Sequence, residues 1–185
     1  MKHYIGLALM LLIFGCKDTP KDNDTAPLSE VVTKTTSIGA TQAAQSEVPI
    51  YAFADFEHLL HKDDGKTYVV NFWATWCKPC IKEMPYFEEL AANYKDKNVE
   101  VLFVSLDFPR LLEKQVIPFI KENNIQSKVV LLDDTGANEW IPKVDEFWSG
   151  AIPATLVYRG NYRKFYEKSF DYAQLEAVVK DVMKL

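Results

Sequence analysis

Cys77-Lys78-Pro79-Cys80 is the part of this chain best suited to do chemistry. The pair follows the apolar run Tyr68–Trp73 and opens a stretch whose apolar residues recur every three or four positions, so it sits where a strand gives way to a helix. A sulfur at a helix N-terminus lies near unsatisfied backbone N–H groups and the positive end of the helix dipole, which favour thiolate over thiol. Lys78 adds positive charge, and Pro79 suits a first turn because it has no N–H to leave unused. Two intervening residues let the sulfurs meet across one turn. These features point to thiol–disulfide exchange. Lowering a thiol pKa from ~8.5 to ~7 raises the thiolate fraction at pH 7 about 16-fold, while lower basicity removes about 5-fold in nucleophilicity, a net gain of about 3-fold. The larger consequence is for redox poise, since a low pKa makes Cys77 a better leaving group.

A Cys-x-x-Cys is also half of a zinc site, and His58-Leu59-Leu60-His61 could complete four ligands. Phe56, Leu59 and Leu60, after Asp55 as a candidate cap, form the apolar stripe of that segment. At 100° per residue His58 and His61 then fall on the opposite, solvent side. A proline between two ligands at a helix start does nothing for a metal. The expectation is no metal and no cofactor.

The elements that must position the cysteines follow from periodicity. Tyr68–Trp73 and Val99–Leu106 read as buried strands. Ile81, Met84, Phe87, Leu90, Ala91 and Tyr94 define an amphipathic helix that Pro85 should kink. Leu111–Asn123 reads as a helix interrupted at Pro118, and Val129–Leu132 as a short strand closed by the turn Asp133–Gly136. Ala154–Arg159 and Tyr162–Lys168 flank Gly160-Asn161 as a hairpin. Asp171 and Gln174 start a final helix with Leu175, Val178, Val179, Val182 and Met183 as its stripe. The expected architecture is α/β, a central mixed sheet with helices on both faces.

The segment Trp73–Pro85 resembles the active site of the TlpA/ResA-like branch of the thioredoxin superfamily. Trp76, Cys77, Pro79, Cys80, Glu83 and Pro85 match its W-C-x-P-C-x-x-E-x-P pattern. Gly150–Thr155 resembles the superfamily's cis-proline loop. The likeness covers roughly 48–185 and implies a thioredoxin-like fold with an added α/β insert at about 107–144. It implies that Cys77 is the exposed attacking cysteine and Cys80 the shielded resolving one. Trp76, Lys78 and Pro79 would support them, and Pro153 would be cis, leaving the Ile152 backbone free to pair with an extended substrate. Glu83, three residues after Cys80, could relay a proton to or from the resolving cysteine; its bland alternative is an exposed helix glutamate. Its charge would also raise thiol pKa values. Asn71 stands where cytosolic thioredoxins carry a buried acid, so the relay falls to Glu83 or water. Trp73 and Trp76 read as part core and part rim. Trp140 reads as packing. Trp148 and Phe147 precede the Pro153 loop and are candidates for lining a substrate groove, with packing as the alternative.

The third cysteine has a different context. Lys2 and His3 precede the apolar run Tyr4–Phe14, too short for the roughly 20 residues of a membrane span and suited to a signal peptide, residues 1–15. Leu12-Ile13-Phe14-Gly15-Cys16 resembles a bacterial lipobox, which implies lipidation of Cys16 and a lipid-anchored protein of the cell envelope, facing the periplasm or the cell surface. Residues 17–47, polar and without aromatics, read as a flexible tether spanning about 30 Å as a coil. Residues 48–185 then form the one folded domain.

The chain has 185 residues, 48% hydrophobic, and 21 basic against 26 acidic residues for a formal charge of −5. That supplies one core and no electrostatic footprint for nucleic acid. The expected function is an extracytoplasmic, membrane-anchored disulfide reductase acting on protein substrates. The resemblance implies protein thiols and disulfides as partners, among them cytochrome c maturation components, and a membrane electron donor. The alternatives are a non-enzymatic binding module with a structural Cys77–Cys80 bridge and a peroxide-reducing member of the superfamily.

Overall fold

A computed structural model describes residues 48–184. The expected signal segment, Cys16 and the tether lie outside the described residues. The centre of the fold is β2 (Thr67–Trp73), every residue of which is buried. Its near-continuous apolar run suits a strand covered on both faces. Strand β3 (Val99–Ser105) pairs parallel on one side, with Trp73 opposite Ser105. Strand β5 (Ala154–Arg159) pairs antiparallel on the other, with Phe72 opposite Ala154. Outside these lie β4 (Lys128–Leu132) and β1 (Ile50–Tyr51) beyond β3, and β6 (Tyr162–Tyr166) beyond β5. The result is one six-stranded mixed sheet in the order β1-β4-β3-β2-β5-β6.

Period-two alternation divides β2 between two cores. Val69 and Trp73 face a layer containing Phe87 and Leu90 of α2 (Lys78–Tyr94) and Leu175, Val179 and Val182 of α5 (Tyr172–Met183). Tyr68, Val70 and Phe72 face Phe53 and Phe56 of α1 (Phe53–Phe56) and Trp140 of α4 (Ala137–Val144). Helices therefore cover both faces, as expected. The final helix begins as the sequence suggests, with the Asp171 carboxylate accepting the Gln174 N–H at 2.8 Å.

Several local readings are corrected. Asp55 is not a cap: it lies inside α1, whose cap position is Ala52. The Asp134 carboxylate instead accepts the Phe53 N–H at 3.1 Å, across 81 residues. The kink expected at Pro85 involves no break, since α2 is one continuous span with Pro85 inside it. The break near Pro118 falls just before it, as a π-turn at Leu112–Val116, after which α3 (Ile117–Glu122) restarts with Pro118 in its first turn. Proline has no N–H for the carbonyl four residues back, and a wide turn takes up that mismatch. Strand β1 and helix α4 went unforeseen. The first has two residues, and the second contains Pro142 and has no side-chain cap.

Among the described residues no helix is long and apolar enough to cross a membrane, and no cluster of metal-binding side chains occurs. His58 and His61 are exposed, on the outer side of the short 3-10 turn Glu57–Leu60.

Candidate active site

The cysteines lie where β2 ends and α2 begins. Cys77 occupies the cap position of α2, and its sulfur accepts the Cys80 N–H at 3.3 Å. Cys77 and Cys80 form a disulfide with their Cα atoms 5.3 Å apart. Pro79 lies in the first helical turn, and Lys78 and Pro79 are exposed. The expectation of an exposed Cys77 is corrected: it is 5% exposed against 0% for Cys80. Its side chain folds back over the helix start and is bonded to Cys80, so an incoming group meets only a small edge of sulfur. Trp76, 63% exposed, forms the rim. Trp73 is wholly buried and belongs to the core alone.

The second loop at this end of the sheet precedes β5. The Ile152–Pro153 bond is cis, Pro153 is buried and Ile152 half-buried. Because Ala154 is in register with Phe72, this loop and the one carrying Cys77 leave adjacent strands at the same end. Gly150 has φ +91°, a conformation that side chains rarely adopt, and it lets the chain turn into the proline. Trp148 is corrected from groove to core. It is 5% exposed, packs on Phe72, Trp140 and Phe165, and donates its indole N–H to the Ala151 carbonyl at 2.9 Å. It shapes the loop from beneath. Phe147, by contrast, is 84% exposed.

Glu83 is the third chemical group. It is 1% exposed, so the reading of an exposed helix glutamate is overturned. One carboxylate oxygen accepts the Asn71 side-chain N–H at 3.0 Å and the other the Phe170 backbone N–H at 2.7 Å. Alternation along β2 turns Asn71 towards α2, and its remaining amide hydrogen goes to the Thr155 hydroxyl at 3.1 Å. Burial pushes the Glu83 carboxyl up to about 7, with the two donors opposing the shift. Near neutral pH this carboxyl can either give or take a proton. It sits one helical turn beyond Cys80.

A second buried carboxylate escaped sequence reasoning. Asp107 is 1% exposed and accepts the Thr75 N–H at 2.9 Å, the Thr75 hydroxyl at 2.6 Å and the Ser105 hydroxyl at 2.9 Å. It thereby fixes the loop two residues before Cys77. The signal was present: Ser105 and Asp107 are polar residues closing an apolar strand that runs parallel to β2.

A Redoxin family model matches residues 56–140. The thiol-disulfide oxidoreductase ResA of Oceanobacillus iheyensis is 35% identical over 121 residues, covering 64% of this chain and 58% of that protein. Its namesake from Geobacillus kaustophilus is 44% identical over 72 residues, 37% of this chain and 41% of that one. The chain thus spans about half the length of the curated relatives it matches. The crystal structure of a thioredoxin-family thiol:disulfide interchange protein from Chlorobium tepidum aligns with a TM-score of 0.56 at 23% identity, covering 69% of this chain and 84% of that one. That likeness shows a thioredoxin-like fold.

Proposed function

We propose that this chain, whose residues 56–140 match a Redoxin model within a thioredoxin-like fold, is a thiol-disulfide oxidoreductase reducing disulfides in protein substrates. The observation that carries this reading is the Cys77–Cys80 disulfide at the start of α2 with buried Glu83 one turn beyond it. In the reduced enzyme the Cys77 thiolate attacks one sulfur of a substrate disulfide. The substrate S–S bond breaks, a mixed disulfide forms, and the departing substrate thiolate takes up a proton. Cys80 then passes its proton to the Glu83 carboxylate and attacks the Cys77 sulfur. The mixed disulfide breaks, the second substrate sulfur leaves as a thiolate that takes up a proton, and the Cys77–Cys80 disulfide forms as the pair gives up the two electrons that the substrate gains. Trp76 borders the sulfur, Lys78 and Pro79 shape the helix start, and the Ile152 backbone ahead of Pro153 pairs with the extended substrate.

The proposed setting is the cell envelope. The sequence Leu12–Cys16 supports lipidation of Cys16, with residues 17–47 as a tether. A membrane electron donor would restore the dithiol, and cytochrome c maturation components are proposed among the substrates. The test is the reduction potential of the pair, followed by tryptophan fluorescence. A value near about −270 mV supports a reductase, and one near about −120 mV reverses the direction. A pair that exchanges with no dithiol overturns the reading in favour of a binding module.

A further inference from the structure

Three of the five large hydrophobic side chains exposed among the described residues, Trp76, Phe108 and Phe147, lie in the loops at the end of the sheet that carries the disulfide. Of the other two, Tyr162 starts β6 at the opposite end, while Ile50 starts the edge strand β1, level with Leu131, Ser105 and Trp73 through the register. Phe108 is 59% exposed and follows Asp107, whose carboxylate holds Thr75. The side-chain oxygen of Gln115 lies 3.4 Å from the Thr75 hydroxyl, which brings the π-turn Leu112–Val116 to the same loop. Segments 74–82 and 108–116 are therefore neighbours beside Cys77.

Their exposed charge is one-sided. They carry Lys78, Lys82, Arg110 and Lys114 against one exposed carboxylate, Glu113, on a chain whose formal charge is −5. Arg110 stacks its guanidinium on the Phe108 ring at 4.6 Å, which leaves an aromatic face edged by fixed positive charge. Across the disulfide, the loop before Pro153 carries Asp145 and Glu146 and is pinned to Glu167 through the Ser149 N–H at 2.8 Å. Charge therefore changes sign from one side of the sulfurs to the other.

Building on the oxidoreductase reading, we propose that Trp76, Phe108, Arg110 and Lys114 form a docking surface for an extended segment of a substrate protein that presents a bulky apolar side chain and acidic residues beside its cysteine. The apolar group covers aromatic surface otherwise left to water. The acidic residues meet the basic rim, which governs encounter rate and choice of partner. A basic segment in the same place would face like charge.

The test uses the reduced protein and three disulfides: bis(2-hydroxyethyl) disulfide, a peptide disulfide with phenylalanine and two aspartates beside the cysteine, and the same peptide with lysines for the aspartates. The wild-type protein is expected to reduce the acidic peptide about three- to tenfold faster than the basic one at low salt, with the ratio falling towards one near 0.5 M salt. The double variant Arg110→Glu, Lys114→Glu inverts the ratio. Phe108→Ala lowers the advantage of phenylalanine over alanine in the acidic peptide. Equal rates for the two peptides, or a ratio that the double variant leaves in place, overturns the docking surface while the oxidoreductase reading stands. Failure to exchange even with bis(2-hydroxyethyl) disulfide overturns both.

Discussion

Replacing Glu83 by glutamine should flatten the dependence of stability on pH, by an amount the structure sets. The carboxyl has an ordinary value of 4.5 in an unfolded chain and about 7 in the fold, raised by burial. Between those values the native state holds a proton that the unfolded state has lost, so stability falls as pH rises through this window and levels off above it. At 1.36 kcal/mol per unit, the group opposes folding by about 1 kcal/mol at pH 5 and about 3 kcal/mol at pH 8. Because Glu83 is 1% exposed, solvent screening takes little from that figure. Glutamine keeps the shape and one acceptor but does not titrate. It replaces one of the two oxygens, which accept separately from Asn71 and Phe170, by an amide donor, and that adds a further destabilising term. The measurement is urea unfolding of the oxidised wild-type and Glu83→Gln proteins from pH 5 to pH 8, a form in which neither cysteine titrates. The stability difference should move by about 2.5 kcal/mol in favour of the variant across that range, or about 1 M in urea midpoint. Parallel profiles, with a difference constant to about 0.5 kcal/mol, would refute the raised carboxyl and the proton relay built on it.

Substitutions at two further positions probe the loops around the sulfurs. Asp107→Ala removes the acceptor of three hydrogen bonds and leaves the Thr75 N–H without its partner, so urea unfolding should show a loss of about 2–3 kcal/mol. Asp107→Asn should lose less, because the Thr75 hydroxyl can turn to accept from the new amide. At Gly150, φ is +91° and an added Cβ would lie 3.0 Å from the tip of Ile141. Gly150→Ala should therefore lower stability by about 1–3 kcal/mol by the same assay, chiefly through backbone strain, since the Ile141 tip can move aside.

The parts of the fold legible in the sequence were those coded by short-range periodicity. Strands β2 and β3 need only a run of apolar residues, and α5 needs only a stripe and the Asp171 cap. The cysteine pair was legible because its chemistry is compressed into four residues. What stayed hidden is held by partners distant in sequence. Phe53 at the start of α1 is capped from Asp134, so no local cap exists to be read. Glu83 was legible as a candidate relay from the Trp73–Pro85 pattern, but its burial was not, because its partners are Asn71 from β2 and Phe170 from the far end of the chain. Trp148 was misplaced for a related reason. Its position beside the Pro153 loop suggested a groove, whereas its ring fills space between Phe72, Trp140 and Phe165, three residues spread across nearly a hundred positions.

The Phe170 N–H that holds Glu83 has a consequence for the chain while it is being made. The ribosome delivers Cys77 and Cys80 with helix α2 long before it delivers residue 170. Until then Glu83 lacks one of its two donors and α2 lacks the α5 side chains that pack beside it. A growing chain therefore carries two thiols without the buried carboxyl proposed to exchange a proton with them. On the proposed relay, the complete site arrives only when synthesis has passed Phe170, and a fragment stopping short of that residue would hold both cysteines without the second donor to Glu83.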